Sequence, residues 1–394
     1  MLANSPRDCS FNLNKAILNT KIQEYINSNL KTDIARLLLK GIPFKEVSSK
    51  EVIEQIEAKK RSKKKLPTWF NTPNIYYPNK LNIEQTSSEL TAEYKASLVS
   101  GNSLIDLTGG FGVDSYYFAK KIAQVIHCEI NEALSSIVQH NFKALDLLNI
   151  QCLNESGIDA LKRIDTQFDC IYIDPSRRDD SKKKVFLLSD CTPNIKTFQG
   201  LFLKYANSVM IKTSPLLDIK ATRNDLKNVK ELHIIAVNNE VKELLWILER
   251  DYKVEFRIKT VNISKTGNQV FNYNFDDETE VSAEYGLPLA YLYEPNVAIL
   301  KAGAFETVSK ALNVTKLHKH SHLYTSEKLM GFPGRQFKIQ KIIPFNKKAF
   351  AKENIIKANI TTRNCPLSVG DIRKKLKIKD GGIIYLFFTT DIND

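Results

Sequence analysis

The chain has 394 residues, 43% of them hydrophobic, and carries 57 Lys and Arg against 44 Asp and Glu, a net charge of +13. That length accommodates two or three domains with full cores, and the lack of any apolar run of about 18 residues excludes a helical membrane span. Six cysteines (Cys9, Cys128, Cys152, Cys170, Cys191 and Cys365) lie scattered without a C-x-x-C pair. This argues against a zinc site or disulfide framework and for a reducing compartment. Residues 1–7 lack the basic-then-apolar pattern of a signal peptide, so the expected location is the cytoplasm.

The charge is uneven. Residues 1–80 hold 15 Lys/Arg against 7 Asp/Glu, residues 316–394 hold 16 against 6, and residues 81–315 hold 26 against 31. Basic flanks beside a mildly acidic centre suit a polyanion such as RNA, because phosphate contacts supply affinity without demanding sequence. A lysine-rich, merely soluble surface is the competing account, and charge alone separates the two poorly. His318, His320 and His322 alternate, but no cysteine or carboxylate joins them, so they read as a basic loop or strand and no metal is expected.

In chain order, residues 1–66 read as helical, with Ile22, Tyr25, Ile26 and Leu30, then Ile34, Leu37, Leu38 and Leu39, at helical spacing. The basic run from Lys59 to Lys65 ends this part, and the Pro- and Asn-rich residues 67–80 read as a connector. Ser88 and Thr91 are candidate caps of the next helix. From 101 onward strands and helices alternate, which implies a parallel sheet with right-handed crossovers. Strands are expected near 103–107, 124–129, 150–154, 168–173, 207–212 and 231–237. The helices between them include 131–148, 190–204 and 240–250. Runs 253–263 and 269–274 alternate in polarity and would form a closing antiparallel hairpin. The resulting organisation is an N-terminal helical region and connector over 1–80, an α/β domain over 81–278, a small mixed segment over 279–322, and a basic α+β unit over 323–394.

Two strand ends carry the chemistry. Asp106-Leu107-Thr108-Gly109-Gly110-Phe111-Gly112-Val113-Asp114 falls where the first strand turns into a helix, and its glycines let the backbone approach a ligand. A dinucleotide fingerprint would need a third glycine where Ser115 stands, and Asp106 would repel a diphosphate. The acidic strand end suits a cationic or zwitterionic ligand instead. Asp106-x-Thr108-x-Gly110-x-Gly112 resembles the acidic-x-Gly-x-Gly-x-Gly motif of class I S-adenosylmethionine-dependent methyltransferases, with Thr108 in place of the first glycine. The resemblance implies S-adenosyl-L-methionine as cofactor. Asp106, Gly110 and Gly112 would hold its methionine end, with Thr108 and Asp114 of the same turn also cofactor-binding. Glu129 would take the ribose, and Glu155 with Ser156 the adenine.

Further strings narrow the resemblance. Glu84-Gln85-x-Ser87-Ser88-Glu89, Asp174-Pro175-x-Arg177-Arg178, Lys212-x-Ser214-Pro215-x-x-Asp218 and Glu240-x-Lys242-Glu243-Leu244-Leu245 are similar to a group of bacterial class I methyltransferases with a ferredoxin-like insert and a C-terminal THUMP-like domain. Arg363-Asn364-Cys365-Pro366-Leu367-Ser368, Arg373-Lys374-Lys375-Leu376-Lys377 and Asp380-Gly381-Gly382 resemble the THUMP-like module. The match spans roughly residues 50–390. It implies an α/β fold with a Rossmann-like class I methyltransferase sheet, an N-terminal helical region, a ferredoxin-like segment over 279–322 and a C-terminal α+β THUMP-like domain. THUMP domains bind RNA, so the implied reaction is methylation of tRNA or rRNA.

The second strand end, Asp174-Pro175-Ser176-Arg177-Arg178, would hold the acceptor. Enzymes that methylate exocyclic amines commonly carry Asp/Asn-Pro-Pro-aromatic there, with the ring stacked on a flipped base. Here Ser176 replaces the second proline and Arg177 the aromatic, so Asp174 can still accept a hydrogen bond while adenine-amine methylation loses support. Asp174, Pro175 and Arg177 are the catalytic candidates. Arg177 and Arg178 suit phosphate or ribose, unless Asp179 and Asp180 pair with them. Lys212, Arg363 and Lys374 are further substrate-contact candidates, although Lys212 reads almost equally as a solvated strand-end lysine. Methylation at a pyrimidine carbon would need a reachable thiolate, for which Cys191 is the one candidate, and a buried or capping cysteine is the more usual role. Methylation of a protein or small molecule, and a non-catalytic RNA-binding protein with a methyltransferase fold, remain the alternatives. The sequence leaves the oligomeric state, the target RNA and the methylated atom open.

Overall fold

The computed structural model describes residues 13–177 and 188–392. By internal contacts the chain forms two compact units, Met1–Lys230 with Leu245–Lys253, and Glu231–Leu244 with Val254–Asp394.

In the first unit, helices Thr20–Ser28, Ile34–Lys40 and Ser49–Lys65 bury one face each around Ile17, Ile22, Ile26, Leu37, Val47, Val52 and Ile56. A reciprocal cap starts the third: Glu51 N donates to Ser48 Oγ at 3.2 Å, and Ser48 N donates to the Glu51 carboxylate at 2.8 Å. The basic run is the last part of that helix, where Lys63, Lys64 and Lys65 complement its dipole. Residues 67–80 are more than a connector. Pro67 opens a short helix, Pro67–Asn71, because its fixed φ and missing N–H suit a first helical position, and Trp69 is fully buried there.

The strands of this unit are β1 (Ser103–Asp106), β2 (Gln124–Cys128), β3 (Ile150–Leu153), β4 (Phe168–Ile173), the two-residue β5 (Ser176–Arg177) and β6 (Cys191–Thr192), and β7 (Ala206–Thr213). The pairs β1–β2, β2–β3, β1–β4 and β4–β7 are all parallel, giving the order β7-β4-β1-β2-β3. Chain order reverses between β1 and β4, and ligands of open α/β sheets bind outside the carboxyl ends of the strands at such a point. The small pair β5–β6 is antiparallel.

The strands that follow are β8 (Val229–Val237), which lies almost wholly in the second unit, β9 (Glu240–Glu249), whose first half belongs to the second unit and second half to the first, and β10 (Arg257–Ile263) and β11 (Gln269–Asn274), both in the second unit. Residues 240–250, expected as a helix, therefore form a strand. The apolar run Leu244 to Leu248 is nearly all buried, and a strand covered on both faces lacks the alternation that separates it from a helix. The deciding signal was the turn. Asn238 and Asn239 both adopt left-handed backbone, φ 49° and 62°, which suits a two-residue hairpin turn. A tight hairpin thus joins β8 to β9, and the antiparallel hairpin expected over 253–274 is present as β10–β11, with β10 also lying parallel to β8.

Further on, β12 (Tyr291–Pro295), β13 (Thr315–Lys316), β14 (Tyr324–Ser326) and β15 (Gly334–Lys338) form an antiparallel sheet in the order β13-β14-β12-β15. The residues carrying His318, His320 and His322 are a loop between β13 and β14, and the His322 ring stacks on Phe305 at 3.5 Å. Finally β16 (Lys357–Arg363) and β17 (Lys379–Thr389) pair in parallel across the helix Val369–Leu376, over a small core of Phe350, Ala358 and Ile378. Among the described residues no helix is long and apolar enough to cross a membrane.

Candidate active site

The site is built at the carboxyl ends of β1, β2 and β4. Asp106 ends β1 and is 1% exposed. Its carboxylate accepts from Ser115 Oγ at 2.6 Å and from Thr108 N at 3.1 Å. Burial outweighs those two bonds and pushes the carboxyl from 3.8 up to about 7. Because its folded carboxyl is raised, the stability that Asp106 itself contributes is fully present below pH 3.8 and is lost as pH climbs to about 7. Asp106→Asn should therefore flatten the melting-temperature profile between pH 4 and 7 by thermal denaturation; an unchanged profile would show that Asp106 does not titrate there.

The turn after β1 is held open by two glycines. Gly110 has φ +55°, and a Cβ there would meet nothing closer than Thr108 O at 3.8 Å, so a ligand can lie against its main chain. Gly112 has φ +78°, and a Cβ would press on Phe142 at 2.6 Å and Val138 at 2.8 Å, so only glycine lets the turn seat against the helix Glu132–Ala144. Glu129, just past β2, accepts from Gly110 N at 3.0 Å and from Asn131 N at 2.7 Å. It thus ties the second strand end to the turn. Past β3, Glu155 is ion-paired with Arg163, and Ser156 stands at the N-terminus of helix Gly157–Ile164 without a side-chain capping bond.

Asp114 is engaged by other residues of the chain. It pairs with Lys95 at 2.9 Å and accepts from Ser87 Oγ and Tyr172 Oη, each at 2.8 Å, while Lys95 Nζ also donates to Ser87 Oγ at 2.7 Å. Burial alone would raise the Asp114 carboxyl; the Lys95 charge, aided by Lys212, holds it below the usual carboxylate value. The motif residues Ser87 and Glu89 acquire a role here. Glu89 accepts from Thr68 N, Thr68 Oγ1 and Tyr117 Oη at 2.6, 2.7 and 2.8 Å, so this segment is bolted to the helix Val113–Ala119 that follows the turn. Sequence reading also missed His127, fully buried beneath the turn, where a Cβ on Gly109 would collide with its ring. Burial drops its imidazole to about 4, so it stays neutral.

Asp174 follows β4. Its N–H donates to Thr108 Oγ1 at 2.6 Å, and its carboxylate is ion-paired with Lys212 at the end of β7. The structure therefore brings Asp106, Thr108, Gly110, Glu129, Asp174 and Lys212 to one edge. Pro175 follows directly and is half-buried, Arg177 pairs its main chain with Cys191 in β5–β6, and Arg178 lies outside the described residues, as do Asp179 and Asp180. Asp218 caps the helix Ile219–Asp225 by accepting from Ala221 N at 2.7 Å. Cys170 is buried, its thiol pushed up to about 12, and Cys191 is half-buried. Among the described residues no three His, Cys, Asp or Glu side chains form a metal-binding group.

The donor set fits a zwitterionic nucleoside cofactor. Carboxylates end two adjacent parallel strands, and an open main-chain cradle at Gly110 lies between them. In the second unit, Arg363 pairs with the buried Glu294 at 2.9 Å, and Arg335 takes the other carboxylate oxygen, whereas Lys374 is exposed on its helix.

A parallel sheet with a switch point at β1/β4, a glycine turn and acidic ends to β1 and just past β2 define a Rossmann-like class I methyltransferase fold. The comparisons agree. Residues 291–333 match a ferredoxin-like domain family and residues 334–393 a THUMP domain-like family. The crystal structure of a candidate methyltransferase from Porphyromonas gingivalis W83 is 33% identical, aligns over 96% of this chain and 96% of its own, and superposes with a TM-score of 0.87. A candidate class I S-adenosylmethionine-dependent methyltransferase from Listeria monocytogenes is 13% identical over 64% of this chain and 90% of its own, with a TM-score of 0.38. One from Streptococcus mutans in complex with SAH is 13% identical over 41% and 96%, with a TM-score of 0.30. Likenesses that distant carry no weight for function. No curated protein matches the chain. The chain belongs to the family of bacterial class I methyltransferases with a ferredoxin-like domain and a C-terminal THUMP-like domain.

Proposed function

We propose that the protein transfers a methyl group from S-adenosylmethionine to a base of tRNA or rRNA. The observation that carries this reading is the joining of two strand ends: the glycine turn with Asp106 and Glu129 on one side, and Asp174 bonded to Thr108 of that same turn on the other. When bound, the cofactor supplies an electrophilic methyl group on a sulfonium. The turn at Gly110 and Gly112 would receive its methionine end, Glu129 the ribose hydroxyls, and Glu155 with Ser156 the adenine. Asp106 acts mainly by fixing the turn, since it is 1% exposed and accepts from Ser115 and Thr108. Asp114 serves the same end from beneath. Asp174 accepts a hydrogen bond from the N–H or O–H of the acceptor and aligns it, and Pro175 stiffens the chain behind it.

A nitrogen or oxygen acceptor fits better than a pyrimidine carbon. Burial raises the thiols of Cys128, Cys152 and Cys170, which leaves Cys191 as the remaining candidate near the second motif. RNA as substrate rests on the THUMP-like module and on the basic excess of residues 316–394. Within that module Arg363 is committed to Glu294, so we assign RNA contact to Lys374 and retain Arg177 and Arg178 for phosphate or ribose near the acceptor. A cytoplasmic setting suits the scattered cysteines and an RNA substrate.

Calorimetry with S-adenosylmethionine, its demethylated product and NAD tests the cofactor: tight NAD binding with no response to the sulfonium would end the reading. RNA binding is tested by titrating tRNA and rRNA fragments across a salt series. Affinity should fall steeply with salt, and Lys374→Glu should weaken binding several-fold and shallow that slope without touching cofactor affinity. Intact cofactor binding with no RNA affinity would shift the acceptor to a protein or a small molecule.

A further inference from the structure

Thr108 stands where the resembling motif has its first glycine, and the structure gives its hydroxyl a use that a glycine could not have. The parallel ladder between β1 and β4 ends with Leu107 N donating to Tyr172 O at 3.0 Å. One step further the two chains diverge into their loops. There Asp174 N donates to Thr108 Oγ1 at 2.6 Å, so a side-chain oxygen supplies one more rung after the main chain has stopped pairing. Thr108 N meanwhile donates to Asp106 Oδ1 at 3.1 Å, and Ser115 Oγ to Asp106 Oδ2 at 2.6 Å. On the far side, Lys212 holds the Asp174 carboxylate. A continuous chain of polar contacts, Ser115 to Asp106 to Thr108 to Asp174 to Lys212, thus runs from the helix after the glycine turn to the acceptor motif.

We propose that Thr108 is a positioning residue that locks the acceptor motif to the cofactor turn, rather than a cofactor contact. This rests on the reading of the β1–β2 edge as the cofactor site and of Asp174 as the acceptor residue. Its main chain belongs to the turn and its hydroxyl to the acceptor loop, so any shift of the turn on cofactor binding is passed directly to Asp174. A misplacement of the aligned acceptor costs rate without costing cofactor affinity.

Thr108→Val keeps the shape and removes the oxygen, and Thr108→Ser keeps the oxygen. In the ligand-free full-length protein, hydrogen exchange at the Asp174 amide should quicken about five- to tenfold in Thr108→Val, the worth of one hydrogen bond, and stay near wild type in Thr108→Ser. Affinity for S-adenosylhomocysteine by calorimetry should remain within threefold in both variants. Methyl transfer to bulk tRNA and rRNA from a strain lacking the protein should show a kcat about tenfold lower in Thr108→Val, an unchanged KM for S-adenosylmethionine, and recovery in Thr108→Ser. Unchanged amide exchange in Thr108→Val would overturn the proposal. So would a loss of S-adenosylhomocysteine affinity that matches the loss of kcat, because Thr108 would then be a cofactor contact. If wild-type protein binds no S-adenosylhomocysteine, the cofactor reading falls, while exchange in the ligand-free variants still decides whether Thr108 anchors Asp174.

Discussion

Replacing Asp174 by alanine is expected to lower methyl transfer by about 10²–10⁴-fold while cofactor affinity stays within a few-fold. The reason is its place: it ends the strand beside β1, its main chain is fixed by Thr108, and its carboxylate is half-exposed and oriented by Lys212. Losing a positioned acceptor removes alignment in the transition state and leaves the ground-state complex alone. Asp106→Ala should do the opposite and weaken cofactor binding itself, because the Ser115 and Thr108 bonds that shape the turn lose their common acceptor. Lys212→Met should fall between them, lowering kcat less than Asp174→Ala, since the carboxylate survives but is free to rotate. Transfer of labelled methyl groups to RNA, read beside calorimetry for each variant, separates these cases. An Asp174→Ala enzyme working at the wild-type rate would move the acceptor site elsewhere. Cys191→Ser serves as the control: near-wild-type activity is expected for a nitrogen or oxygen acceptor, and abolished activity would point to a pyrimidine carbon.

The largest effect on stability should come from Lys95→Met. The Lys95 side chain is wholly buried and its partner Asp114 is 10% exposed, so the substitution leaves a carboxylate without its counter-charge in a low-dielectric setting. Breaking a buried pair from one side costs about 3–5 kcal/mol. Lys95→Met combined with Asp114→Asn removes both charges and should recover part of that loss. Urea denaturation of the single and double variants decides it: a double variant as unstable as the single one would show that the charge on Asp114 is not the cause. The pH dependence has a fixed sign. The Asp114 carboxyl is depressed, so the stability it contributes is present above its ordinary value of 3.8 and is lost as pH falls through its lower folded value.

Much of this protein was legible in its residues. Strand ends at Asp106, Asp174 and near Glu129 could be placed because β1, β2 and β4 are short apolar runs closed by a polar residue, and the glycine turn, a weak signal alone, gains specificity from the acidic strand ends that follow it in order. That β1 to β4 run parallel followed from strand–helix alternation alone, whereas their order in the sheet came from the structure. Residues 240–249 could not be read the same way. A strand covered on both faces has no period, and its only marker was the Asn238-Asn239 pair, whose left-handed backbone becomes evident once β8 and β9 are seen side by side.

The sequence by itself determined the fold class, the glycine turn and the acidic strand ends, because each rests on residues close together in the chain. Tertiary structure alone decided what those residues do to one another. Lys95 lies 19 positions from Asp114, Thr108 lies 66 from Asp174, and Arg363 lies 69 from Glu294. Such partners share no spacing rule, so nothing local distinguishes a buried charge pair from two solvated side chains. Burial and proximity make the difference, because the burial that raises Asp106 would raise Asp114 as well, and it is the Lys95 charge beside it that holds Asp114 ionised.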